Sequence, residues 1–543
     1  MFIGKMIGLA SILIFSGFVL NAQQHDAFFT ALYTEQWEKA VTIQEKVVKT
    51  APNEWLNRMY LADAYNAASR PLDARSTLLE AARYNDKTAY TYILEGRIAM
   101  TEDRMEDAIA LFAKAAKSGR KDAVVHRLIG ESWLYGRHRD LNRVEDALLE
   151  ARKRDANDFQ TQMDLGYYYL VATKGGEALT YFDQAQAILP KSPLPALISA
   201  FTYKSAQLPE KQLEFLDKAL ALNPTLEEAI RQKAELFYYN KRDYNQAAAT
   251  YARLLEINPN TAIEDKMAYV NSLFLTKKYD ETITWVEKII SEDGSRNYLR
   301  RLAAYSKYET GDYATGKSIL DDYFTRVDSS KIIPEDYEYY ARFLQQDKQD
   351  SLASVYYEKA VQLDPTRWEL YADIGAMRYK NADYQGAIEA YDKRLDSLET
   401  RTALDYYQLG VALYMLRDSG AYERAAEQFV KVSEIVPDKT TGWLMLAKTL
   451  SKLEPDVEKN PENTAAFGRA RDAFEHFVAI AELKPDEYKK DLIAAYEYLA
   501  YYHLLNKSPE TVTLFQQKLL ELDPENQIAG DLEDWLKSAP EED

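Results

Sequence analysis

The 543-residue sequence contains no cysteine and only five histidines. Without cysteine there is no thiol nucleophile, no zinc finger, no iron–sulfur cluster and no lipid-modified N-terminal cysteine. Five scattered histidines do not supply a histidine-rich metal centre, and no metal or cofactor is expected. Glycine (20) and proline (17) are scarce for this length, which points to helices rather than turn-rich sheet. Positive charge is in deficit: 67 Lys and Arg against 86 Asp and Glu leave −19. Nucleic-acid binding needs cations that displace phosphate counterions, so that class is set aside. No apolar run is long enough to span a bilayer. The longest, Met6 to Leu20, is about 15 residues against the ~20 required. What is present is 47% hydrophobic and 28% charged residues, a folded soluble composition, and 41 tyrosines.

The N-terminus reads as an address. Lys5 gives a short positive region, Met6 to Leu20 an apolar stretch, and Leu20-Asn21-Ala22 a cleavage site before Gln23. Residues 1–22 are therefore expected to be a Sec-type signal peptide, and the mature protein periplasmic or otherwise exported. The alternative is an uncleaved anchor, because Leu20 is a poor residue at the third position before a cut. A chain without cysteine is compatible with an oxidising compartment.

The remainder repeats. Pro190, Pro224 and Pro259 are 34 and 35 residues apart. Leu222-Asn223-Pro224, Ile257-Asn258-Pro259, Leu363-Asp364-Pro365 and Leu522-Asp523-Pro524 share one form. Between the prolines, Leu165, Gly166, Tyr169, Ala178, Phe182, Ala185 and Pro190 share their spacing with Leu61, Ala62, Tyr65, Ala74, Leu78, Ala81 and Asp86. Gaps of three and four put these residues on one helix face. The wider gap from Tyr169 to Ala178 leaves a turn at Lys174-Gly175-Gly176. Small residues let two helices approach, aromatics fill the space beside them, and proline closes the unit.

This pattern resembles the tetratricopeptide repeat family over residues 23–526. The resemblance implies an all-α, right-handed superhelical solenoid of about 14 helix pairs with a concave inner face. Residues 527–543 then form a capping helix and acidic tail. Two insertions, near Gly136 to Arg143 and Glu454 to Ala466, are expected to project as loops between the helices of a unit.

Gly311 to Ser318 matches the phosphate-binding pattern G-x-x-x-x-G-K-S. That loop needs a strand before it and a helix opening at its lysine. Here the repeat frame puts a helix before it and Gly316 at a packing position, so no nucleotide site is expected. No other catalytic pattern is present, and the chain is expected not to be an enzyme. His126, His476 and His503 read as packing or surface residues. Arg137, His138, Arg139, Arg143, Arg152, Lys153 and Arg154 form one basic stretch, read as a solvated edge, with an acidic partner, phosphate or lipid headgroup as the alternative.

In the family, the first helix of each unit lines the concave face. On that frame Tyr167, Phe201, Tyr238, Phe274, Tyr305 and Tyr308 point into the groove, with Arg231, Asn271 and Arg301 among them. Tyrosine offers flat contact area at low rotamer cost together with a hydroxyl. The expected function is a non-catalytic scaffold in the cell envelope that holds an envelope protein in this groove. The alternative is a glycan or peptidoglycan binding module using the same tyrosines. The oligomeric state and the partner's identity do not follow from the sequence.

Overall fold

The computed structural model describes residues 25–85, 87–457, 459, 464 and 466–538. The leader read at residues 1–22 and the tail at 539–543 lie outside them, as does Pro461. Every regular element among the described residues is helical. Among the described residues fourteen hairpin pairs follow in succession, from a helix that includes residues 25–33 paired with Trp37–Thr50, to Pro485–Leu505 paired with Pro509–Leu522. A single helix, Gln527–Ser538, follows. The chain divides into two compact units, residues 1–285 and 286–543.

The pairs are built alike for a local reason. In most of them the first helix ends with one residue in the left-handed region, and the second helix starts two positions later. Glu35, Ser69, Asp103, Thr173, Gln207, Arg242, Lys277, Lys348, Ala382, Arg417 and Lys507 hold this place, and Gly311 holds it with φ +84°. At most of these places the next residue donates its N–H to the carbonyl five positions back, as Lys174 does to Tyr169 (2.8 Å) and Asp312 to Lys307 (2.9 Å). This is the Schellman closure of a helix, where glycine is the unstrained residue. An aspartate often comes next and caps the second helix: Asp243 accepts from Gln246 N at 3.1 Å and Asp383 from Gly386 N at 3.0 Å. The two pairs without a residue of the Glu35 type are those with a longer connection, Tyr135 to Leu141 and Ser451 to Arg471.

The left-handed position gives a first prediction. Thr173 is β-branched with φ 60°, the costlier kind of residue to hold there. Relief of about 1–2 kcal/mol, less about 0.5–1 kcal/mol for the looser unfolded chain, leaves Thr173→Gly slightly stabilising. Gly311→Ala runs the other way by about 1 kcal/mol. Urea midpoints of the two variants check both; equal midpoints would mean that these turns carry no strain.

Within a pair the helices touch closely where a small residue faces an aromatic ring. A Cβ added to Gly166 would meet Phe182 Cε1 at 2.3 Å. Overpacking of that kind costs more than the methyl group gains. The core is therefore a ladder of small-against-large contacts, with Ala178, Phe182 and Ala185 all essentially inaccessible.

In the first unit the stack curves until its beginning meets its fifth to seventh pairs. The Tyr33 hydroxyl donates to Asp164 Oδ1 at 2.9 Å, across 131 residues. Gln36 Nε2 donates to Glu228 Oε2 at 2.7 Å, and Lys39 reaches Glu227 at 3.3 Å. Phe28, Phe29, Leu32 and Tyr33 are all buried. The first helix thus fills the inner face of its own unit.

Candidate functional site

The inner face of the first unit has a closed stretch and an open one. The closed stretch is built by the first helices Trp55–Ala67, Thr88–Thr101, Ala123–Tyr135 and Phe159–Val171. Each contributes a buried charge at nearly the same frame position: Asp63, Arg97, Glu131 and Asp164. Arg97 donates to Asp63 Oδ1 (2.5 Å), Ser132 Oγ (2.7 Å) and the Leu128 carbonyl (3.2 Å). Arg127 donates to Glu131 Oε1 (2.5 Å) and the Tyr60 hydroxyl (3.1 Å), and pairs with Asp158 at 3.1 Å. Asp164 Oδ1 accepts from Tyr33, Tyr135 and Gln160, each at 2.9 Å. Burial, and then the Glu131 carboxylate, hold Asp164 well above the ordinary carboxylate range. Burial also pushes Asp63 up to about 6, against the pull of Arg97.

These two carboxyl groups set a pH dependence. A carboxyl raised by folding stabilises the fold when protonated, and that contribution is lost as pH rises through the folded value. Asp63 then costs stability between its ordinary value and about 6, and Asp164 continues the cost to higher pH. Asp164→Asn, which needs no proton, is expected to gain on the wild type as pH rises from 5 to 7. Thermal melts of both proteins across that range test this; a constant difference would refute it.

The open stretch follows on pairs six to eight. Phe201 and Arg231 line a cavity of about 480 Å³ together with Glu228, Gln232, Glu235 and Thr261. Arg231 is locked in place. Its Nε meets Asp265 at 2.9 Å, Nη1 meets Glu228 at 2.7 Å and Nη2 meets Glu227 at 2.7 Å. Five residues on, the chain widens into a π-helix, Leu236–Lys241, whose looser winding alters the direction of its side chains. Tyr238 sits there half-buried, in hydrogen-bond contact with Asn271, and Tyr239 is 65% exposed beside it. Phe274 is also half-buried, edge-on to Tyr279.

The nine residues read from the repeat frame thus separate. Phe201, Arg231, Tyr238, Asn271 and Phe274 lie partly open along adjacent pairs. Tyr167, expected to line the groove, is 2% exposed because the first helix covers it; its ring packs on Tyr33 and Tyr135. In the second unit Tyr305 is likewise buried, because it stacks on Tyr339 at 4.0 Å and donates to Asp336 Oδ1 at 2.5 Å. Arg301 also turns to Asp336, at 3.4 Å. Tyr308 is half-buried among Tyr313, Tyr339 and Phe343. Asp336 is fully buried and accepts from Tyr305, Tyr323 and the Ile333 N–H, so this group organises the packing of two pairs.

The phosphate-loop match is helical hairpin. The helix Arg300–Glu309 precedes it, Gly316 lies inside Tyr313–Arg326, and Lys317 pairs with Asp321 at 3.2 Å. A Cβ on Gly316 would meet Phe343 Cζ at 2.5 Å, so the glycine serves packing. Much of the basic stretch is neutralised within the chain. Arg137 and His138 meet Asp103, Arg143 meets Asp140, and Arg154 meets Glu150. No helix among the described residues is long and apolar enough to cross a membrane.

The buried charges of the closed stretch were missed by the sequence reading, which followed apolar and aromatic positions. A signal was present: Asp63, Arg97 and Glu131 follow one another at intervals of 34 residues, the period of the repeat.

The architecture defines an all-helical solenoid of hairpin repeats, a fold typical of protein–protein interaction scaffolds. No family model matches the chain. Among solved structures, the C-terminal part of a tetratricopeptide repeat-containing protein from Cytophaga hutchinsonii is 30% identical. The match covers 49% of this chain and 98% of that one, with a TM-score of 0.37. A tetratricopeptide repeat protein from Parabacteroides merdae is 19% identical over 44% of this chain and 92% of its own, with a TM-score of 0.26. Among curated proteins, anaphase-promoting complex subunit 3 of Schizosaccharomyces pombe is 20% identical over 295 residues, 53% of this chain. The present chain spans 42% of that protein's length. On the identity across the Cytophaga protein, the chain belongs to the tetratricopeptide repeat family.

Proposed function

We propose that this chain is a non-catalytic scaffold of the cell envelope, exported by the leader at residues 1–22, that holds a partner protein along the inner face of pairs six to eight. The observation that carries this reading is the set Phe201, Tyr238 and Phe274. These aromatic surfaces stay partly open on successive pairs, beside an Arg231 fixed by three carboxylates. Rigid aromatic surface with ordered polar groups between is what protein hot spots use.

The test is affinity capture from the native envelope after mild cross-linking, with mass spectrometry and N-terminal sequencing of the recovered chain. One or two stoichiometric proteins are expected, lost in the triple variant Phe201→Ala, Tyr238→Ala, Phe274→Ala, and a mature chain starting at Gln23. Capture unchanged by the triple variant would overturn the groove assignment. An uncleaved chain recovered from the cytoplasm would overturn the location.

A further inference from the structure

The closed stretch of the first unit holds a ligand already, the helix 25–33, and it fits that helix unevenly. On the apolar side the match is good: Phe28, Phe29 and Leu32 are no more than 1% exposed, and Phe29 meets the Tyr60 ring edge-on at 5.3 Å. On the polar side it is poor. Asp63 Oδ2 and Gln160 Oε1 are buried and accept no hydrogen bond among the described residues, and Glu131 and Asp164 are left to bond to each other, carboxyl to carboxyl. Of the cations, Arg97 Nη2 is the one that approaches Glu131 Oε2, at 3.8 Å, beyond hydrogen-bond reach. The Tyr33 hydroxyl is the donor that the helix brings to Asp164, and it goes to the oxygen that Tyr135 and Gln160 already serve.

Buried acceptors left open are rare in native proteins and call for a reason. Here they gather on one face, under one helix. The helix is tied to the rest of its unit by the short turn at residues 34–36. Charge points the same way. Asp63, Glu131, Asp158 and Asp164 face Arg97 and Arg127, so the seam is short of cations, and a retained proton on Asp164 offsets part of the deficit.

We propose that the inner face of pairs two to five is a receptor for an amphipathic helix of a partner protein that carries a lysine or arginine, and that residues 25–33 occupy it in the free chain. The incoming helix presents two adjacent aromatic residues and a leucine in the places of Phe28, Phe29 and Leu32. Its cation sits in the place of Tyr33, between Asp164, Glu131 and Gln160. This rests on the scaffold reading and adds to it a second surface and the chemistry of what binds there. The tyrosine of the resident helix makes it a weaker occupant that a better-matched helix displaces.

The test uses the full chain with Phe29→Ala, which loosens the resident helix and leaves the receptor face untouched. Two fluorescent peptides are titrated by anisotropy: residues 25–36 as they stand, and the same peptide with Tyr33→Lys. The lysine peptide is expected to bind about tenfold more tightly, the worth of a hydrogen bond to a charged group, and Asp164→Asn in the chain is expected to abolish the difference. Equal binding, no binding, or a preference that survives Asp164→Asn overturns the proposal. Equal binding in particular would make this face a seat for the chain's own helix only. If circular dichroism shows that the Phe29→Ala chain is unfolded, the chain with Phe29 intact is used with a fluorophore attached through Glu35→Cys. Because the chain has no other cysteine, the label is unique. A label shift with the lysine peptide alone then supports displacement, and no shift at saturating peptide overturns it. These measurements involve no envelope protein, so their failure is separate from failure of the capture experiment.

Discussion

Arg97→Met is expected to cost the first unit about 3–5 kcal/mol, the range for removing one partner of a buried ion pair. Arg97 is 4% exposed, and its three donors hold Asp63, Ser132 and the Leu128 carbonyl. Methionine replaces its volume and none of its donors. Asp63, already pushed up to about 6, would rise further and take up a proton. The loss is therefore expected to be smaller at pH 5 than at pH 7, where the carboxyl group must either stay charged or pull its proton from dilute solution. A companion change, Asp63→Leu, should recover part of the loss, because a hydrophobic replacement removes the stranded charge. Urea unfolding followed through probes in the first unit measures all three. A loss below about 1 kcal/mol would mean that water reaches this seam and that the charges count as surface pairs.

Phe29→Ala has the second large effect, of a different kind. Phe29 is fully buried and touches the rings of His25, Phe28, Tyr33 and Tyr60. Truncating a buried phenylalanine costs about 3–5 kcal/mol. The helix it belongs to is held against the inner face by side chains such as Phe28, Leu32 and Tyr33. The loss should therefore appear as local opening. Hydrogen–deuterium exchange of residues 25–33 is expected to rise by about two orders of magnitude or more, with the pairs from Leu194 onward unchanged. Uniform acceleration throughout the first unit would show instead that this helix is integral to its cooperative core.

Much of this architecture was legible in the sequence. The prolines, the small-against-large spacing and the two interruptions marked the pairs and their connections, because those features act within one or two units. The closed inner face was not legible. Phe28, Phe29, Leu32 and Tyr33 carry no spacing that sets them apart from the apolar face of any first helix. Tyr60 belongs to the next pair, but Asp164 and Tyr167 are brought near by curvature accumulated over several units. The same effect separates Tyr167 from Phe201, which belong to consecutive first helices. One lies under the returning helix and the other lies beyond its end. The Asp336 centre was missed for a simpler reason, since a frame that asks which residues face inward does not ask whether they are already bonded to each other.

The charges at Asp63, Arg97 and Glu131 alternate in sign from one repeat to the next, and each guanidinium is shared between neighbours. Solenoids change length by duplicating or deleting single units, and most interfaces between units tolerate it because every unit resembles the next. Here the operation carries a charge cost. Deleting the unit that carries Arg97 would leave Asp63 without its cation, while Glu131 would keep Arg127 of its own helix. Duplicating it would set two guanidinium groups together. Charge thus resists a change in the number of units here, and so holds the distance at which the first helix meets the fifth pair.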